Sequence, residues 1–186
     1  PPQQAARRVI LEDARVSQPT LARTYLAPSQ HQAGWETAHA LDLFAEILGG
    51  GTTSRLYREL VVEKELAASA GAYYRANALD STTLRVYATP RAGVGLDELE
   101  AALDEVIART LADGVSADEL ERAKTRMQAE SVYARDSLSG AARIFGAALT
   151  TGLTVDDVER WPERMAAVTL EQVNATARDV LTTERS

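Results

Sequence analysis

The chain contains no cysteine. That excludes disulfide bonds and thiolate metal sites, and it fits a reducing cytoplasm or an oxidising compartment equally well. Histidine is almost as scarce, with only His31 and His39 present. No apolar run approaches the roughly 20 residues that a membrane-spanning helix needs. Positive charge is in deficit: 20 Lys and Arg stand against 27 Asp and Glu, a net charge of −7. Nucleic acid and anionic membrane surfaces both require a basic face, so neither is an expected partner. Low-complexity tracts and convincing internal repeats are also missing.

What is present is ordinary for a globular protein: 45% hydrophobic and 25% charged residues over 186 positions. That length supports one domain with a real core and is short for two. The N-terminal Pro1-Pro2-Gln3-Gln4 does not read as a signal peptide and lacks an initiator Met. The chain is therefore expected to be a piece of a longer protein.

Local patterns give the element order. Val9-Ile10-Leu11 and Thr20 to Leu26 read as two strands or one bent ribbon. Pro28 to Gly34 reads as a loop. From Trp35 the period becomes helical, with Ala38, Leu41, Ala45 and Leu48 on one face and Phe44 beside it. A second helix is expected from about Ser54 to Lys64. Ala67–Tyr74 and Thr82–Ala88 read as a hairpin, because Leu84, Val86 and Ala88 alternate with Thr83, Arg85 and Tyr87. After Pro90 four or five helices are expected. Leu96, Leu99, Leu103, Val106 and Ile107 form the stripe of the first. Ser116 and Glu119 read as a capping box opening a long helix towards Leu149, with a break near Ser139-Gly140. Thr154 and Thr169 open two more, and Pro162 suits a first helical turn. Strands followed by helices on one face of a mainly antiparallel sheet make an α+β two-layer sandwich.

The stretch Leu48-Gly49-Gly50-Gly51-Thr52-Thr53-Ser54 joins a helix stop to a helix start. Glycine takes the cap conformation, and the hydroxyls are expected to satisfy free N–H groups. A phosphate cradle would need a Lys-Ser/Thr pair after the last glycine, and none is present. Gly49, Gly50 and Gly51 are therefore read as a structural corner.

The same stretch carries a family resemblance. Leu-Gly-Gly-Gly-x-x-Ser-Arg-Leu-Tyr-Arg-x-Leu, followed by Glu63-Lys64-x-Leu66-Ala67 and Ser69-Ala70-Gly71-Ala72-Tyr73-Tyr74, resembles the processing-peptidase branch of the insulinase–pitrilysin family of inverted zincins. The resemblance spans about Val9 to Val180 and is to the domain that follows the metal-binding one. It implies a metallopeptidase half-domain with a ferredoxin-like core over 1–186, a linker at 1–7, and a closing strand beyond 186. It also implies a zinc peptidase parent of bacterial type, periplasmic or membrane-associated, whose zinc lies in an N-terminal domain outside this chain.

The zinc motif of that family is H-x-x-E-H on one helix. Neither His31 nor His39 is set in such a pattern, so no metal ligand and no catalytic residue is assigned here. His39 with Glu36, Asp42 and Glu46 is read as a partly exposed histidine near carboxylates. The family also supplies an Arg and a Tyr, seven positions apart, that hydrogen-bond the substrate carbonyl. Alignment on Glu59-Leu60, Leu66-Ala67 and Tyr73-Tyr74 places those positions at Val61 and Ala68, which cannot donate. Two readings follow. A partner chain supplies the missing donors, or the parent is an inactive scaffold. The first expects a peptide-enclosing chamber, the chain's own N-terminal domain, and a homologous partner chain or a homodimer. Ser54, Ser69 and Ser137 lack a histidine partner in any recognisable motif. The charges of Glu119, Glu121, Arg122, Lys124, Arg126 and Glu130, and those of Asp104, Glu105 and Arg109, read as solvated helix faces. Asp156, Asp157 and Glu159 read as first-turn capping.

Overall fold

A computed structural model describes residues 5–135, 138–183 and 186. Its sheet has three strands, β1 (Leu21–Ala27), β2 (Ala67–Tyr74) and β3 (Thr82–Pro90), in the order β1-β3-β2. Both β1 and β2 run antiparallel to β3, with Tyr25 opposite Leu84 and Ala72 opposite Val86. β1 and β2 are therefore parallel to each other, and helix α1 (Gln30–Gly49) makes the crossover between them. The α+β two-layer architecture is present.

Alternation along β3 decides which face is sealed. Leu84, Val86 and Ala88 are fully buried under the helices, while Thr83, Arg85, Tyr87 and Thr89 stay half-exposed on the other face. Helix α1 is buried over most of its girth, from Ala38 to Leu48, because it packs on β2 and on three of the later helices. Among the described residues six helices follow the hairpin: α2 (Leu96–Asp113), α3 (Ala117–Arg135), α4 (Leu138–Thr150), α5 (Val155–Glu159), α6 (Trp161–Ala167) and α7 (Leu170–Val180). Pro162 sits in the first turn of its own helix, α6, as expected, and the count exceeds the expected four or five because α3 and α4 stand on either side of residues 136–137.

The cap signals were legible. Ser116 and Glu119, Thr154 and Asp157, and Thr169 and Gln172 each form reciprocal boxes.

Two expectations need correction. Val9–Leu11 is not a strand; it lies outside the sheet with Val9 90% exposed. Pro28–Gly34 is not all loop: Ser29 and Gln32 box a helical turn that kinks at Gly34, where φ is 81°. The break expected near Ser139-Gly140 adjoins residues 136–137, which lie outside the described residues; α4 begins at Leu138. The helix expected from about Ser54 to Lys64 is present, and over Tyr57–Glu63 it is a π-helix.

Candidate functional site

The glycine corner is built by close approach and by backbone sign. A Cβ on Gly49 would overlap the Ala72 nitrogen and lie 2.7 Å from the Ala72 Cβ. The end of α1 thus touches the β2 backbone, and only a hydrogen fits. Gly51 has φ 147°, a conformation L side chains rarely adopt, and a Cβ there would meet nothing. The hydroxyls do not cap the next helix. Ser54 Oγ instead donates to the Gly51 carbonyl at 2.6 Å, and Thr53 Oγ1 accepts from Arg126 at 2.9 Å.

Beyond the corner the chain is irregular at three successive points. The π-helix carries Val61, which is buried in the main apolar cluster at 8% exposure. Glu65 has φ 53°, the one positive φ among described non-glycine residues. The β2–β3 register then shifts between Ala67 and Ser69, leaving the exposed Ala68 as the extra residue. Arg91 closes over this segment: its backbone N–H donates to the Leu66 carbonyl at 2.9 Å and its Nη2 to the Val61 carbonyl at 3.3 Å.

The outer face of the sheet lies alongside. Gly71 faces Tyr87 and Tyr73 faces Arg85 across the β2–β3 pair. A Cβ on Gly71 would lie 2.6 Å from the Tyr87 hydroxyl, so that ring covers the glycine. The Tyr73 and Tyr87 ring centres are 6.4 Å apart. Two aromatic rings and a guanidinium thus share a face that no described helix covers.

His39 is not a partly exposed surface residue. It is 1% exposed, between Trp35 and Trp161 with ring centres 6.0 and 6.3 Å away, because α1 is buried on almost every side. Its Nδ1 is 3.7 Å from Asp42 Oδ2, beyond hydrogen-bond reach. Burial raises the Asp42 pKa above the usual carboxylate range, with His39 pulling the other way. Glu46 is engaged by Arg126, and Glu36 is exposed. Among the described residues no group of three His, Asp or Glu could hold a metal ion. His31 is exposed near Gly152. Ser54 is buried in the corner and Ser69 is exposed on β2, while Ser137 lies outside the described residues.

The charged helix faces are less bland than their spacing suggests. Arg122 does pair with Asp118 one turn away. Glu119, by contrast, receives a two-point bond from Arg55, both distances 2.8 Å, and further bonds from Ser116. This holds the Glu119 pKa at about 2, with the Arg55 hydrogen bond the largest cause. Lys124 reaches the Ala166 carbonyl, and Arg126 reaches Glu46. Asp104 pairs with Arg23, Glu105 with Lys64, and Arg109 with Glu59. These charges tie helices to other elements, which no single-helix pattern reveals. Asp157 caps α5 as expected and is also bound by Arg164. The sequence reading missed Arg55 as an anchor, although it sits within the Ser-Arg-Leu-Tyr-Arg motif.

Comparison with known proteins gives a consistent result. The family described as peptidase M16 inactive domain matches residues 1–127. The zinc protease YmxG of Bacillus subtilis is 31% identical over 161 residues, 81% of this chain and 36% of that protein. A protease from Helicobacter pylori superposes with TM-score 0.90 at 19% identity, covering 100% of this chain and 43% of that one. The inactive peptidase domain of a Bordetella parapertussis protease superposes with TM-score 0.78 at 21% identity, covering 92% and 91%. The chain thus spans about a third of the curated relative and nearly all of the solved inactive domain.

Proposed function

The chain belongs to the family of the peptidase M16 inactive domain, and from that premise we propose that it walls the peptide-binding chamber of a zinc metalloendopeptidase. The observation that carries this reading is the run of irregular backbone between Tyr57 and Ser69. A π-helix, a positive φ at Glu65 and a bulge at Ala68 follow one another within that short segment. Such departures from regular geometry concentrate where a chain is shaped for function. They fall around Val61 and Ala68, the positions aligned with the substrate-carbonyl donors of active relatives. The adjoining outer sheet face offers Tyr73, Tyr87 and Arg85 to an extended peptide, with aromatic rings for side chains and a guanidinium for carbonyls.

In this reading the chain does no chemistry. Zinc and its ligands belong to the N-terminal domain of the parent, since the described residues do not fit the ion. Donors for the substrate carbonyl come from a homologous partner chain or a second copy, because Val61 and Ala68 have none to give. The whole domain, 1–186, encloses the peptide and contributes to subunit contact.

The test uses the full-length parent, with and without the product of its neighbouring gene. Elemental analysis should find one zinc per parent chain, and peptide cleavage should need the partner. A parent with neither zinc nor cleavage in either mixture would favour the scaffold reading instead.

A further inference from the structure

A cleft of about 880 Å³ opens on the helical side of the molecule, away from the outer sheet face. Helices α1, α3, α4, α5 and α6 and the β2–β3 turn border it. Its walls are largely apolar, with Met127, Ile144, Phe145 and Trp161 among them. A cleft of this size and character suits a small molecule.

Its inner surface holds a buried polar side chain without a partner. His39 lines the cleft at 1% exposure, and neither ring nitrogen makes a hydrogen bond. A buried imidazole with both nitrogens idle is costly, since each has lost water and gained nothing. Asp42 also lines the cleft, its side chain 19% exposed, and its Oδ2 stands 3.7 Å from His39 Nδ1, too far to bond. The mouth adds Glu130 and Glu159 on the acidic side and Arg75 on the basic side. Carboxylates therefore outnumber cations around an apolar interior.

We infer that this cleft binds a small amphiphilic cation, an apolar body carrying one protonated amine. The body fills the space between Trp161, Phe145 and Met127. The ammonium supplies donors to the Asp42 carboxylate and to an unpartnered nitrogen of the His39 ring. A neutral ligand would leave Asp42 unpaired, and an anionic one would meet the acidic mouth. The inference stands apart from the chamber proposal, because it concerns the opposite layer and needs no proteolysis.

The probe is 4-phenylbutylamine, compared with 4-phenylbutanol and 4-phenylbutyrate, titrated into the 186-residue chain at pH 7. The solved inactive domain from Bordetella parapertussis has nearly the same extent as this chain. Calorimetry gives affinity, and the imidazole signals, assigned with a His31→Gln control, report on His39. The amine should bind with a dissociation constant on the order of 1 mM or tighter and shift the His39 signals. The alcohol should bind about tenfold more weakly, and the carboxylate not measurably. Asp42→Asn should weaken the amine about tenfold, and Glu130→Gln, an exposed and fold-neutral change, about threefold. Equal binding of the three probes, no binding of any, or indifference of the amine to both substitutions would overturn the inference. So would loss of amine binding in the full-length parent, since the cleft would then be covered there.

Discussion

At the scale of single residues, the glycine corner separates two causes of glycine that a sequence cannot tell apart. Gly49 is needed for space and Gly51 for backbone sign. Their substitutions should therefore differ in size. Gly49→Ala forces α1 away from the Ala72 backbone and should cost about 3 kcal/mol or more, because backbone cannot yield as a flexible side chain can. Gly51→Ala meets no atom and should cost only about 1 kcal/mol, the price of an unfavourable φ. Chemical denaturation of both variants checks the order, and a larger loss at Gly51 would show that the corner is held differently. The two positions aligned with substrate donors should also behave unequally. Val61→Arg places a guanidinium in an apolar cluster and should cost about 2 kcal/mol, whereas Ala68→Tyr on the exposed bulge should change stability by no more than about 0.5 kcal/mol. Thermal melts of the two single variants give that comparison.

At the scale of elements, helix α3 is docked by charge as much as by apolar contact. Among its described residues Leu120 and Ala123 are the buried apolar ones, and Arg55 clamps Glu119 and the Gly114 carbonyl beside them. The Glu119 carboxyl falls from 4.5 to about 2 on folding. A lowered pKa means that the folded state holds the proton less tightly. The stabilisation is thus complete above about pH 4.5 and is lost as the pH falls through about 2. The pair is only partly exposed, and on the order of 2 kcal/mol is at stake. Glu119→Gln should therefore destabilise the protein at pH 7, and the gap from wild type should close as the pH approaches 2. A gap that stays constant over that range would mean the ion pair contributes nothing. The elements themselves were legible wherever a local signal sufficed. The hairpin was read from alternation, and three helix starts were read from their boxes. The π-helix was not, because its wider turn still shows Leu56 and Leu60 at helical spacing and leaves no separate mark. Burial of His39 was illegible for another reason. One helix's periodicity cannot report that two tryptophans, one from a helix far along the chain, close over its polar flank. The Arg55–Glu119 clamp likewise joins residues 64 positions apart.

At the scale of the whole molecule, the two faces of the sheet have different employment. One is sealed by helices and supplies the core; the other leaves Tyr73, Arg85 and Tyr87 uncovered. An uncovered aromatic face beside an irregular segment is expected to contact substrate rather than to stabilise the fold. If the proposed chamber reading holds, the substitution Arg85→Ala in an active parent should raise the KM for peptide several-fold with little change in kcat, the outcome for a residue that binds peptide without touching the reacting bond. Tyr87→Ala should do the same, and it uncovers Gly71 without opening the core, so the melting temperature should fall only slightly. Equivalent changes on the helical side, such as Glu130→Gln, should leave both kinetic constants alone. If kcat fell with Arg85→Ala while KM held, the sheet face would be acting on the reacting bond itself. The division between a chemical domain and an enclosing one would then have to be redrawn. If neither constant moved, the face would not line the chamber, and subunit contact would be left as the use for its aromatic pair.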